Sequence, residues 1–224
     1  RIERHVMLRV SQLAGFGRMR RYATRGVLFD GANDYMTRGA TPSGLSDGKA
    51  GTVSFLANLA GAAGNTLSIL NNVTGFFRVA RSSANLWFVE GFNAAISQIL
   101  LLRTSNTYTA AGWTHVNMSW DLAAGVGSVY INGVSDIAGG SVLTNDTIDY
   151  ANGDFAVGAN TSGTLKFDGD MADVWFNPAY IDLSVDANRR RFFSFGKPVD
   201  LGPIGQYPTG SQPLLFFKGP ASAF

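Results

Sequence analysis

At 224 residues, with 46 % hydrophobic residues, 15 % charged residues and 27 glycines, the chain has a turn-rich globular composition that excludes a disordered or coiled-coil protein. It contains no cysteine, which excludes disulfides, thiolate metal sites and cysteine nucleophiles. The formal charge of +2 hides an asymmetry: residues 1–26 carry seven arginines against Glu3 alone, whereas the rest of the chain is net negative.

In chain order the basic leader, residues 1–26, comes first. Its arginines are interleaved with Val6, Met7, Leu8, Val10, Leu13 and Phe16, so it reads as an attachment or packing arm more than as a nucleic-acid segment. Arg18, Arg20, Arg21 and Arg25 are its candidate contacts to an acidic neighbour. No signal-peptide pattern is present, and the chain starts at Arg1 without an initiator methionine, so it is read as processed or truncated. The best apolar run, Ile99-Leu100-Leu101-Leu102, is far too short to cross a bilayer.

From Val27 onward, period-two alternation takes over. Val53, Phe55 and Ala57 share one face, Phe77 and Val79 flank Arg78, and Leu86 and Phe88 alternate with Trp87 and Val89. The clearest case is 113–120, where Val116, Met118 and Trp120 point one way and His115, Asn117 and Ser119 the other. Ser128-Val129-Tyr130-Ile131 then meets Asn132-Gly133, a strong signal for a two-residue hairpin. Further strands are expected at Phe155–Gly158 and Met171–Phe176, and turns at Asp30-Gly31, Asp47-Gly48, Asn152-Gly153, Ser162-Gly163 and Asp168-Gly169. One amphipathic helix is expected near 185–195, followed by an arm punctuated by proline and glycine. These elements predict two packed antiparallel sheets over 27–180, with 181–224 forming a helix plus arm that packs on the sandwich or on a neighbour.

The motifs Phe29-Asp30-Gly31-Ala32-Asn33-Asp34-Tyr35, Gly112-Trp113-Thr114-His115-Val116, Ser128–Val134 and Gly169–Phe176 follow one another along the body. In that order they resemble the concanavalin A-like jelly-roll superfamily, in its laminin-G/pentraxin-like branch. The tail Asp182–Phe192, Gly196–Gly202 and Pro208–Pro213 is similar to that of laminin-G-like proteins encoded by tailed bacteriophages and prophages. The basic leader departs from the shared pattern. The resemblance implies an all-β concanavalin A-like jelly roll and a virion setting, as a capsid decoration or a tail or fibre component. It also implies virion proteins and other copies of the chain as partners, with a host surface glycan as an alternative ligand. Nucleic acid and membrane insertion are not expected.

Catalytic signals are weak. The glucanase branch presents alternating carboxylates as Glu-x-Asp-x-Glu, whereas this chain holds only Glu3 and Glu90 as glutamates, and Asp168, Asp170 and Asp173 read as structural. No Gly-x-Ser-x-Gly elbow accompanies His115. The chain is therefore expected to be no enzyme and to need no cofactor. Calcium is the one ion the relatives suggest, for which Asp30, Asn33 and Asp34, or Asp146, Asp149, Asn152 and Asp154, offer oxygens that Asx turns explain better. For sugar stacking the aromatic candidates are Trp87, Phe92 and Tyr108, whereas Trp113, Trp120 and Trp175 are assigned to the core. Phe192, Phe193 and Phe195 are candidates to pin the helix to the sandwich or to another subunit.

Overall fold

The computed structural model describes residues 26–218 except 38, 62–63, 73–74 and 110, so Arg18, Arg20, Arg21 and Arg25 lie outside the described residues. The first nine strands are β1 (Val27–Asp30), β2 (Met36–Thr37), β3 (Ala50–Leu59), β4 (Leu67–Asn72), β5 (Phe77–Arg81), β6 (Trp87–Phe92), β7 (Gln98–Arg103), β8 (Trp113–Asp121) and β9 (Val126–Ile131). Then follow β10 (Val134–Ser135), β11 (Val142–Leu143), β12 (Phe155–Val157), β13 (Asp168–Asn177), the helix α1 (Asp186–Arg189), β14 (Phe193–Ser194), β15 (Lys197–Pro198) and β16 (Leu215–Phe217).

All but β14 and β15, which pair with each other as a small separate hairpin, form two antiparallel sheets that pack face to face. The first runs β1-β13-β3-β8-β9-β10, with β16 also on β13, and the second runs β11-β7-β6-β5-β4-β12-β2. Strands adjacent in space but distant in sequence, such as β13 beside β3, give the crossed connections of a jelly roll rather than a meander.

Alternation decides what lies between the sheets. Val53, Phe55 and Ala57 of β3 and Val116, Met118 and Trp120 of β8 are buried in one core with Phe77, Val79, Trp87 and Val89 from the second sheet. Phe77 is central: it stacks on Phe176 at 5.0 Å, meets the Tyr150 ring edge-on at 5.0 Å and tilts against Trp120 at 5.7 Å. The two polar atoms carried into this region satisfy each other, since Trp120 Nε1 donates to Tyr150 Oη (2.9 Å), which donates to the Ala50 carbonyl (3.0 Å).

Asn132-Gly133 joins β9 to β10 with Ile131 paired to Val134, and the two residues adopt φ of 50° and 79°. Positive φ at both positions is what a type I′ turn requires. Gly133→Val should therefore cost more than about 1 kcal/mol, because a β-branched side chain is forced into the left-handed region. Its Cβ would also press on the Phe193 ring, 3.3 Å away. Thermal melts of the two proteins check this; an unchanged midpoint would contradict the turn assignment.

Two expectations are corrected here. Asp168-Gly169 is not a turn: it opens β13, with Gly169 paired to Phe29 on one side and Leu59 on the other. The glycine serves close backbone approach, since a Cβ there would collide with the Asn58 carbonyl. The helix is also shorter than 185–195. Its four residues have no side-chain cap at Val185, and Phe195 and Gly196, with φ of 50° and 72°, turn the chain back between β14 and β15.

Candidate functional site

Among the described residues, several groups able to do chemistry are tied into the fold. Glu90 accepts an ion pair from Arg78 Nη2 (2.5 Å) and a hydrogen bond from Gln98 Nε2 (3.1 Å), and the Arg78 guanidinium lies over the Phe88 ring. Asp170 Oδ2 accepts from Asn58 Nδ2 (3.0 Å). Asp30 accepts from the backbone N–H groups of Ala32 and Asn33 (2.8 and 3.0 Å), an Asx turn, and these bonds hold its carboxyl below the usual carboxylate range. Among the described residues, no three His, Asp or Glu side chains converge as a metal site would need.

The outer face of the first sheet is largely occupied by the chain itself. Thr52 Oγ1 donates to the Ala179 carbonyl (2.8 Å) and accepts from Ile181 N–H (3.0 Å), and Ser119 Oγ donates to the Ile181 carbonyl (2.6 Å). Farther along, Trp175 meets Phe192 edge-on at 5.2 Å, and together with Leu201 they form a second small core. Trp175 Nε1 donates to the Gly205 carbonyl (2.8 Å), and Arg189 lies over the Tyr130 ring. The segment then ends as β16, a strand of the same sheet against β13. Phe192 and Phe193 thus face the chain's own sandwich, whereas Phe195 is 90 % exposed.

His115 sits under this cover. Its ring stacks on Phe193 at 5.0 Å, Nε2 pairs with Ser54 Oγ at 2.9 Å, and the buried Nδ1 has no partner. Burial lowers its pKa to about 3. Unfolded, it titrates near 6.5, so between pH ~6.5 and ~3 the unfolded state binds one more proton than the folded one. That costs stability as pH falls through this window, by up to about 1.4 kcal/mol per pH unit. Urea unfolding from pH 7 to 4 should show a steeper loss for the natural chain than for His115→Gln. Parallel curves would mean that the folded histidine takes up a proton.

Among the described residues the cover stops past Phe193, and the end of the sheet holding Asn58, Trp113 and Asp170 lies beyond it. Trp113 is 38 % exposed, whereas Trp87, Trp120 and Trp175 are fully buried. This corrects the assignment of Trp113 to the core and of Trp87 to a surface platform: Trp87 packs edge-on against Phe55 between the sheets. Two hollows flank the exposed indole. One, about 380 Å³, is lined by Leu56, Trp113, Asn132, Phe193, Gly196 and Pro198. The other, about 240 Å³, is lined by Thr107, Tyr108, Thr109, Gly112, Trp113 and Thr114 among others. Of the other stacking candidates, Phe92 is partly buried, and Tyr108 donates to Asp136 Oδ2 (2.5 Å), fastening its loop.

Residues 30–179 match a family model of the concanavalin A-like lectin/glucanases superfamily, Laminin_G_3. The chain belongs to this family. Among solved structures, the laminin-G-like chain is similar to a protein from Bacteroides ovatus for which carbohydrate binding is inferred, with 16 % identity and a TM-score of 0.57 over 87 % of this chain and 51 % of that one. It is also similar to the heptameric SAP-like pentraxin of Limulus polyphemus, with 16 % identity and a TM-score of 0.53 over 77 % and 84 % of the two chains. At these identities the likeness concerns the fold. The chain spans about half the length of the Bacteroides protein. No curated protein matches it in sequence.

Proposed function

We propose that this chain is a non-catalytic structural protein of a bacteriophage particle, a capsid decoration or a tail or fibre component, that displays a lectin-like sandwich and uses no cofactor. The observation that carries the non-catalytic reading is the commitment of its reactive groups: Glu90 is spent on Arg78 and Gln98, Asp170 on Asn58, and His115 is buried beneath Phe193. The particle setting is supported by the tail 182–213, whose sequence resembles that of phage-encoded laminin-G-like proteins. Because the described part of that tail is spent on its own sandwich, attachment to neighbours falls to the leader with Arg18, Arg20, Arg21 and Arg25.

The test compares purified particles made with the full chain and with a chain lacking residues 1–26. Mass spectrometry should find the full chain at fixed stoichiometry and lose the shortened one, which should still give β-type circular dichroism. A full chain absent from particles, or a shortened one that assembles normally, would contradict the reading.

A second reading, a carbohydrate-binding adhesin, is favoured by the exposed Trp113 between two hollows, because an indole with polar groups around it suits a sugar ring.

A further inference from the structure

We infer that the outer face around Trp113 is the docking site of the chain's own leader: in the free protein residues 20–25 lie across the indole and are held there by Asp168 and Asp170. This goes beyond both readings above and rests on neither. The path of the chain is the first support. On the edge of β13 away from β3, β1 takes residues 168–171 and β16 takes residues 174–176. Traced back from Val27, the chain meets β16 within two residues, so it cannot lengthen β1 along that edge. The inner face is closed by the core, and the chain leaves on the outer side. Gly26 already lies against the side chains of that face: a Cβ on it would come within 2.6 Å of the Trp113 ring and 2.8 Å of Asp170 Cβ.

The second support is the surface that the leader meets there. Leu28, Asp170, Asn58 and Trp113 form one row across β1, β13, β3 and β8. Leu28 and Trp113, the apolar members, are exposed. Beyond the indole lies the hollow floored by Leu56, Phe193 and Pro198. Crossing from β1 to β8 takes three strand spacings, about 14 Å, which four or five extended residues cover. That length sets Arg25 beside Asp170 and brings the Tyr22 ring over the hollow.

Charge is the third support. Asp168 and Asp170 alternate with the buried Gly169 and Met171, so both carboxylates stand on the outer face. Among the described residues neither is in an ion pair. Lys197 stands across the hollow, between Gly196 and Pro198, which leaves the carboxylate end for the arginines and the lysine end for Tyr22 and Ala23. An arginine between an indole and a carboxylate makes a cation–π contact and an ion pair at once. A leader that attaches the chain to an acidic neighbour must first leave this face, so attachment uncovers Trp113.

Of the four tryptophans, Trp113 alone is exposed, so acrylamide quenching of the intrinsic fluorescence of the full chain reports on it selectively. Raising the salt to about 0.5 M should steepen the quenching, because the contacts join exposed charges. Replacing Arg20, Arg21 and Arg25 by Gln should raise the low-salt quenching slope about twofold and abolish the salt effect. Asp168→Asn with Asp170→Asn should do the same from the side of the sheet. Joining the two sets should add nothing, since each removes the same contact. Additive increases would mean that the arginines and the aspartates act separately, and unchanged slopes would mean that the leader does not touch the indole; either overturns the proposal. Protection that fades on dilution, with a dimer seen by sedimentation, would assign the cover to another copy's leader and overturn docking within one chain.

Discussion

Trp175→Ala should destabilise the chain by about 3–5 kcal/mol, the range for emptying a buried aromatic site. Two losses combine. The indole is fully buried against Phe192 and Leu201, and its N–H carries the bond to the Gly205 carbonyl that holds the returning segment. The variant should therefore melt earlier and, below its melting midpoint, be cut faster by trypsin in the arginine cluster 189–191 than the natural chain. A small shift in midpoint with unchanged proteolysis would mean that the segment is held by β16 alone.

Gly169→Ala should be nearly as damaging, although it adds one methyl group. The new Cβ would lie far inside the contact distance of the Asn58 carbonyl and 2.9 Å from the Ala60 nitrogen, both backbone atoms of the neighbouring chain path. Neither can move without breaking the pairing of β13 with β3. A cost of about 4 kcal/mol or more, or failure to fold, is expected. Gly61→Ala separates collision from backbone strain. Gly61 has a similar φ, +122° against +132°, but nothing within 4 Å of its Cβ position. Only the strain, about 1–3 kcal/mol, should appear there. Equal effects at the two sites would remove the close-approach argument.

Much of the sandwich was legible because one face of a strand was apolar and the other polar. Val116, Met118 and Trp120 pointed inward by that rule alone, and Asn132-Gly133 named its own turn. The rule loses power where both faces are apolar. In Leu86-Trp87-Phe88-Val89 either pair could face the core, and it is Trp87 and Val89 that do. Trp113 was misassigned although the rule reaches it. It shares the parity of His115, Asn117 and Ser119, so the alternation itself places it on the outer face, where it is exposed.

The cover over that face was harder to see. Thr52, Ser54 and Ser119 look like solvent-side residues, yet all are buried, because main-chain groups of residues 179–181 bond to Thr52 and Ser119 while Ser54 pairs with His115. Composition cannot distinguish water from a carbonyl as the partner of a hydroxyl. Asp168-Gly169 failed similarly, since a glycine required for close approach has the same letter as one required for a turn.

The sandwich is proposed to have no chemistry of its own. Incubation of the full chain with a broad panel of polysaccharides, assayed for new reducing ends and for unsaturated lyase products, tests this most directly. No turnover is expected, because Glu90 is held by Arg78 and Gln98 and Asp170 by Asn58. Reproducible turnover that disappears with Asp168→Asn or Asp170→Asn would contradict it.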